Sequence, residues 1–201
     1  MRPTDEANTE ERRQQIVRAA ISCFNKAGLH GASMAQICKE AGLSAGHLYH
    51  YFDGRDALVR AVYEHDWASA QAYLEGLSET ANGLAIYLDL VKSKAHPEPE
   101  EDSVGSLAFS LEVVAELGRN PELARIHQEH RRNFTARLRK MVLAAKARGE
   151  LVEGATVEEV MFAIETMSTA RTVWAARGAD PQDYGKLART LLKGLLVVPR
   201  R

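Results

Sequence analysis

At 201 residues, with 45% hydrophobic and 26% charged side chains, the chain is large enough to bury a core and has neither a disordered nor a fibrous composition. Its formal net charge of -1 decides nothing about nucleic acid, because a few Lys and Arg gathered on one face can hide in a neutral total. No apolar run approaches the roughly 20 residues that cross a bilayer, and the opening MRPTDEANTEERRQQ lacks the apolar centre of a signal peptide, so a cytoplasmic protein without membrane contact is expected.

The pattern is helical throughout, without sustained period-two alternation, and predicts an all-α fold of about nine helices. The first is expected over residues 8–27, with Ile16, Ala20, Phe24 and Ala27 on one face. Gly28 should end it in a left-handed conformation, with Leu29 folding back on Phe24. A second helix, Met34–Ala41, takes Ser33 as its N-cap and stops at Gly42. Ser44 caps a third, short helix through Phe52, and a longer connecting helix covers residues 54–77. Cys23 and Cys38 fall among apolar positions, which suits buried thiols in a reducing compartment better than a disulfide framework. Further helices are expected over residues 80–94, 103–118, 122–148, 157–177 and 182–197. Asn120 and Asp180 read as N-caps with Pro121 and Pro181 in the first helical position, and the acidic stretch 96–102 reads as an exposed loop. The predicted organisation is a three-helix domain over residues 8–54, the connecting helix, and a second helical domain over 78–201.

The functional signal lies between Ser33 and Tyr51. Two short helices joined by Gly42-Leu43-Ser44 have the length and turn of a helix-turn-helix, whose second helix enters the major groove of DNA. Spacing alone fits a packed helical corner equally well. Composition separates the two: His47, Tyr49 and His50 project hydrogen-bonding groups while Leu48 and Phe52 suit the inner side, and a helix built only for packing has little use for such a face.

At these residues the chain resembles the tetracycline-repressor (TetR) family of bacterial regulators. The run AGLSAGHLYHYFDGRDAL (41–58) is very similar to the family's usual sequence, GLHGASMAQICKEAG ahead of it fits as well, and the resemblance covers residues 12–63. Beyond that it is one of helical plan, with FSLEVVAELGRNPELARI (109–126) similar to the C-terminal domains of members akin to the choline-responsive BetI repressors. The resemblance implies a homodimer whose recognition helices lie in successive major grooves of a palindromic operator and which an effector in the larger domain releases. It further implies that Ser33 bonds a phosphate, that Ser44 opens the recognition helix, that Tyr49 and Arg55 meet the DNA backbone, and that Ala45, Gly46, His47 and His50 lie nearest base edges. Two positions depart from the family's habit: Ala45 stands where lysine is frequent, and Ala35 where a longer polar group often sits.

Several other features admit two readings. His127 and His130 are spaced to share a metal or are surface histidines, and no third ligand accompanies them. The basic stretch 119–148 marks an anionic ligand or a second contact surface, or solvates a long helix. Glu112 and Glu165, in apolar helices, meet either a cationic ligand or an arginine neighbour. The apolar residues Val157, Val160, Met161, Ile164, Met167, Trp174, Leu187, Leu191, Leu192, Leu195 and Leu196 exceed one protomer's apparent need and predict a dimer interface on the last two helices.

A pocket for a small organic effector is expected among Trp67, Tyr73, Tyr87, Phe109, Glu112, Phe134 and Trp174, although packing alone would also use these aromatics. No constellation of nucleophile and base, metal cluster or phosphate-cradling loop suggests an enzyme or a cofactor. A helical protein-interaction module without DNA binding is the alternative, and it leaves the polar face of the third helix unexplained.

Overall fold

The computed structural model describes residues 3–92, 107–177 and 181–197. They form nine helices: α1 (Pro3–Gly31), α2 (Met34–Ala41), α3 (Ala45–Tyr51), α4 (Arg55–Ser78), α5 (Gly83–Lys92), α6 (Leu107–Leu117), α7 (Pro121–Ala147), α8 (Val157–Ala176) and α9 (Pro181–Lys193). Residues 3–69 and 107–123 make one compact unit; residues 70–92, 124–177 and 181–197 make a second. Asp180 and the stretch 96–102 lie outside the described residues. Among those described, no helix is long and apolar enough to cross a membrane.

In the first unit Ile16, Ile21 and Phe24 of α1 are buried with Ile37 of α2, Leu48 of α3, and Leu58 and Val62 of α4. Gly28, with φ 76 and ψ 171, breaks the helical path of α1 three residues before its end. Such a φ disfavours any residue with a Cβ. The sequence reading put residues 107–117 in the C-terminal domain. Instead α6 packs on α1, where Phe109 stacks on Phe24 with ring centroids 5.5 Å apart. An apolar helical stripe specifies that a face is buried, not which partner buries it.

The second unit buries Leu74, Leu84, Tyr87 and Leu88 with Leu138 and Val142 of α7, Val160 and Ile164 of α8, and Tyr184 and Leu192 of α9. Asn120 caps α7 as expected, its Oδ1 accepting from the Leu123 amide at 3.0 Å. The basic stretch of α7 is largely matched by acids: Arg131 pairs with Glu165 at 3.0 Å, Arg137 with Glu75 at 3.5 Å, Arg139 with Glu158 at 2.5 Å and Lys140 with Glu79 at 3.2 Å. These cations tie α7 to its neighbours. The last helix was expected to reach Val197 but ends at Lys193, because residues 195–197 leave the helix to pair with 150–152. There the Val197 amide donates to the Glu150 carbonyl at 2.8 Å and the Val152 amide to that of Leu195 at 3.0 Å.

Candidate nucleic-acid interface

Local signals set α2 and α3 individually. Ser33 Oγ accepts from the Gln36 amide at 3.2 Å while Gln36 Oε1 accepts from the Ser33 amide at 2.7 Å, a reciprocal capping box at the start of α2. Gly42 ends α2 in the left-handed region (φ 66, ψ 31), and the Leu43 amide reaches back to the Cys38 carbonyl at 2.9 Å. Ser44 then opens α3, its Oγ accepting from the His47 amide at 3.3 Å. The same oxygen lies 3.2 Å from His47 Nδ1, so the ring is held on one edge and Nε2 is the nitrogen turned away from Ser44.

The inner side of α3 is pinned. Leu48 and Phe52 are buried, and the Arg13 guanidinium lies 4.4 Å over the Phe52 ring while donating to the Tyr51 carbonyl at 3.2 Å. Gln15 Nε2 similarly holds the Ala41 carbonyl at the end of α2, at 2.8 Å. The outer side is open: Ser44, Ala45, Gly46, His47, Tyr49 and His50 are exposed, Tyr49 by 53%, and Ser33 is exposed at the start of α2. A phenol and two imidazoles on the free face of a rigidly seated short helix can donate to phosphates and base edges, and the small residues at its first turn let the backbone come close.

Arg55 does not stand with them. Its guanidinium turns inward, Nη1 donating to the Ala32 carbonyl at 2.6 Å and Nη2 to the Leu29 carbonyl, and lies over the Phe24 ring. The expected phosphate contact is corrected on this point. The α1–α2 junction leaves carbonyls without helical partners, and the guanidinium at the start of α4 satisfies two of them.

The residues expected around an effector divide between the units. Trp67, Phe109 and Glu112 belong to the first; Tyr73, Tyr87, Phe134 and Trp174 belong to the second. Phe109 is core, and the Glu112 carboxylate accepts from the Leu29 amide beside Gly28, so neither is free to line a pocket as anticipated. In the second unit Tyr87 meets Phe134 edge to face at 6.2 Å, and Trp174 meets Tyr184 at 6.3 Å. Glu165 has an arginine neighbour, Arg131. His130 Nδ1 lies 2.9 Å from Gln71 Nε2, and burial, with the Arg131 charge beside it, pushes the His127 imidazole below its usual range.

The expected dimer face is corrected as well. Val157, Val160, Met161, Ile164, Met167 and Leu192 are buried inside their own protomer and cannot also face a partner. Leu187 and Leu191 are exposed and Leu195 is half-buried, and the outer side of α8 carries Phe162, 73% exposed. Sequence reasoning missed Phe162, whose signal was a large apolar group off the main stripe of α8.

Two capped short helices around a left-handed glycine, the second seated by apolar side chains and free on a hydrogen-bonding face, define a helix-turn-helix transcriptional regulator that binds DNA. Comparison with known proteins agrees. Residues 16–62 match the family described as bacterial regulatory proteins, tetR family. The chain is 30% identical over 139 residues to the HTH-type transcriptional regulator UidR of Escherichia coli (strain K12), covering 69% of this chain and 68% of that protein. It is 28% identical over 159 residues to the HTH-type transcriptional regulator BetI of Yersinia pestis (strain Pestoides F), covering 71% and 78% respectively. The solved structure of a TetR-family regulator from Cytophaga hutchinsonii superposes with a TM-score of 0.77 at 17% identity, over 96% of this chain and 98% of that one. The chain belongs to the tetR family of bacterial regulatory proteins.

Proposed function

We propose that the protein is a repressor that binds a palindromic operator as a homodimer, with α3 in the major groove, and leaves it when a small organic effector occupies the second unit. The carrying observation is the free face of α3, where His47, Tyr49 and His50 stand exposed beside the buried Leu48. One short helix reads only a few base pairs; a two-fold pair reads two half-sites about 34 Å apart on one face of the duplex. Few Lys or Arg stand on this face, so His47 and His50 supply the base contacts and Ser33 and Tyr49 the phosphate contacts. Phe162 of α8 with Leu187 and Leu191 of α9 offers the apolar surface for pairing, and two such helices from each protomer make a four-helix bundle. An effector releases DNA only by binding better to a conformation in which the two recognition helices are wrongly spaced.

A gel-shift titration against the DNA upstream of the protein's own gene tests the reading. A discrete complex is expected, and His47→Ala should lose about 1 to 3 kcal/mol of discrimination at particular base pairs rather than uniformly. No complex, or equal loss on operator and random duplex, would place α3 outside the groove.

A further inference from the structure

We propose that Arg171 in α8 anchors the anionic group of the effector, which is therefore a small organic acid with a flat apolar body. This rests on the reading that the second unit holds the effector. Arg171 falls on the inner stripe of α8, in step with Val160, Ile164 and Met167, all of which are buried. The side chain as a whole is half-buried, but its Nε and Nη1 are closed off from solvent and have no hydrogen-bond partner among the described residues. Buried donors left unused are a costly arrangement that native proteins keep where something else satisfies them, and the strongest partner for a guanidinium donor is an anion.

Among the described residues, the polar groups on this side of the unit are bonded elsewhere. Tyr184 Oη donates to the Met167 carbonyl at 2.5 Å, the Tyr87 hydroxyl is hydrogen-bonded with Ser168, and Glu165 accepts from Arg131 at 3.0 Å and Thr135 at 3.2 Å. The Arg171 charge acts on both phenols, favouring their ionised forms against the larger effect of burial. Among the described residues no carboxylate bonds these two donors. Phe134 against Tyr87, and the partly exposed Trp174 against Tyr184, add aromatic surface to the two phenols that feel the Arg171 charge. A carboxylate on an aromatic or similarly flat body meets both demands, since a charged acceptor makes the strongest hydrogen bonds to guanidinium and the body stays dry.

Fluorescence titration of full-length Trp67→Phe, in which Trp174 is the remaining tryptophan, tests this with benzoate, its neutral isostere benzamide, and inorganic phosphate. Benzoate should saturate at least tenfold more tightly than benzamide. Arg171→Met should abolish that advantage and, without ligand, melt at the same or a higher temperature, since an apolar isostere removes two unsatisfied buried donors. Should Arg171→Met fail to fold, Arg171→Gln must lose the benzoate preference while Arg171→Lys keeps part of it. Equal binding of acid and amide, no saturation by benzoate, saturation by phosphate alone, or an Arg171→Met melting point several degrees below the parent would each overturn the proposal. Operator binding by the unliganded protein is scored separately, so its loss would strike the regulator reading and not the anchor.

Discussion

The guanidinium of Arg55 closes the junction between α1 and α2 by holding the carbonyls of Leu29 and Ala32. A lysine offers one compact ammonium in place of a planar fork and cannot hold both. Arg55→Met should therefore lower stability in urea by about 1.5 to 3 kcal/mol, the usual worth of hydrogen bonds from a charged group, while leaving the salt dependence of operator binding unchanged. A salt slope reduced by about one would return Arg55 to a phosphate. Glu40 acts on stability through pH. Hydrogen bonds from Ser22 and Lys26 hold its carboxyl below the ordinary value of about 4.5. A depressed folded value means the unfolded chain takes up the proton first, so the contribution is complete above about pH 4.5 and lost as pH falls through the folded value. The melting-point difference between the parent and Glu40→Gln should shrink over that interval, and a gap that persists in acid would mean the charge is not its source. Arg171, by contrast, was legible in principle, as a charge on the apolar stripe of α8, yet periodicity alone does not tell a freely snorkelling arginine from one with two donors shut in.

At the scale of elements, the meeting of α6 with the end of α1 is the most constrained place in the first unit. A Cβ built on Gly28 would lie 3.0 Å from both oxygens of Glu112, at a φ of +76 that side chains rarely adopt. Gly28→Ala should cost more than about 1 kcal/mol, and Glu112→Ala about 1 to 3 kcal/mol by leaving the Leu29 amide unpaired. The double variant should cost less than the sum in urea unfolding, because removing the carboxylate makes room for the methyl. Strict additivity would assign the whole penalty of Gly28→Ala to backbone conformation. The sequence announced Gly28, Gly42, Ser33 and Ser44, since caps and left-handed residues are fixed by chemistry within a few positions. It did not announce that Phe109 would meet Phe24, or that the stripe from Val157 to Met167 would be buried inside its own protomer. An amphipathic pattern states that a face avoids water, and the identity of what covers it is a long-range fact. The free face of α3 was legible for the same reason as the caps, its polar and apolar sides being separated within seven residues.

At the scale of the whole molecule, the proposed pairing rests on the outward apolar groups. Phe162→Glu combined with Leu191→Glu places charge on surfaces 73% and 50% exposed in the single chain, so the fold should survive while pairing does not. Sedimentation at micromolar concentration should show a dimer for the parent and a monomer for the double variant, with operator affinity falling together with the pairing; a dimer that persists would move the interface off α8 and α9. The interleaving of the chain has a consequence for descent. Because α6 comes from the middle of the sequence and yet completes the core around Phe24, the reading half of this protein is not a single inheritable segment. A recombination event that exchanged everything after α4 would bring a foreign α6 against Phe24 and Leu29, so a working hybrid of two such regulators needs that helix to travel with the residues it covers. On the proposal that the second unit holds the effector, a change in what is sensed accumulates by substitution within α5 and α7 to α9 more readily than by wholesale exchange of the C-terminal half.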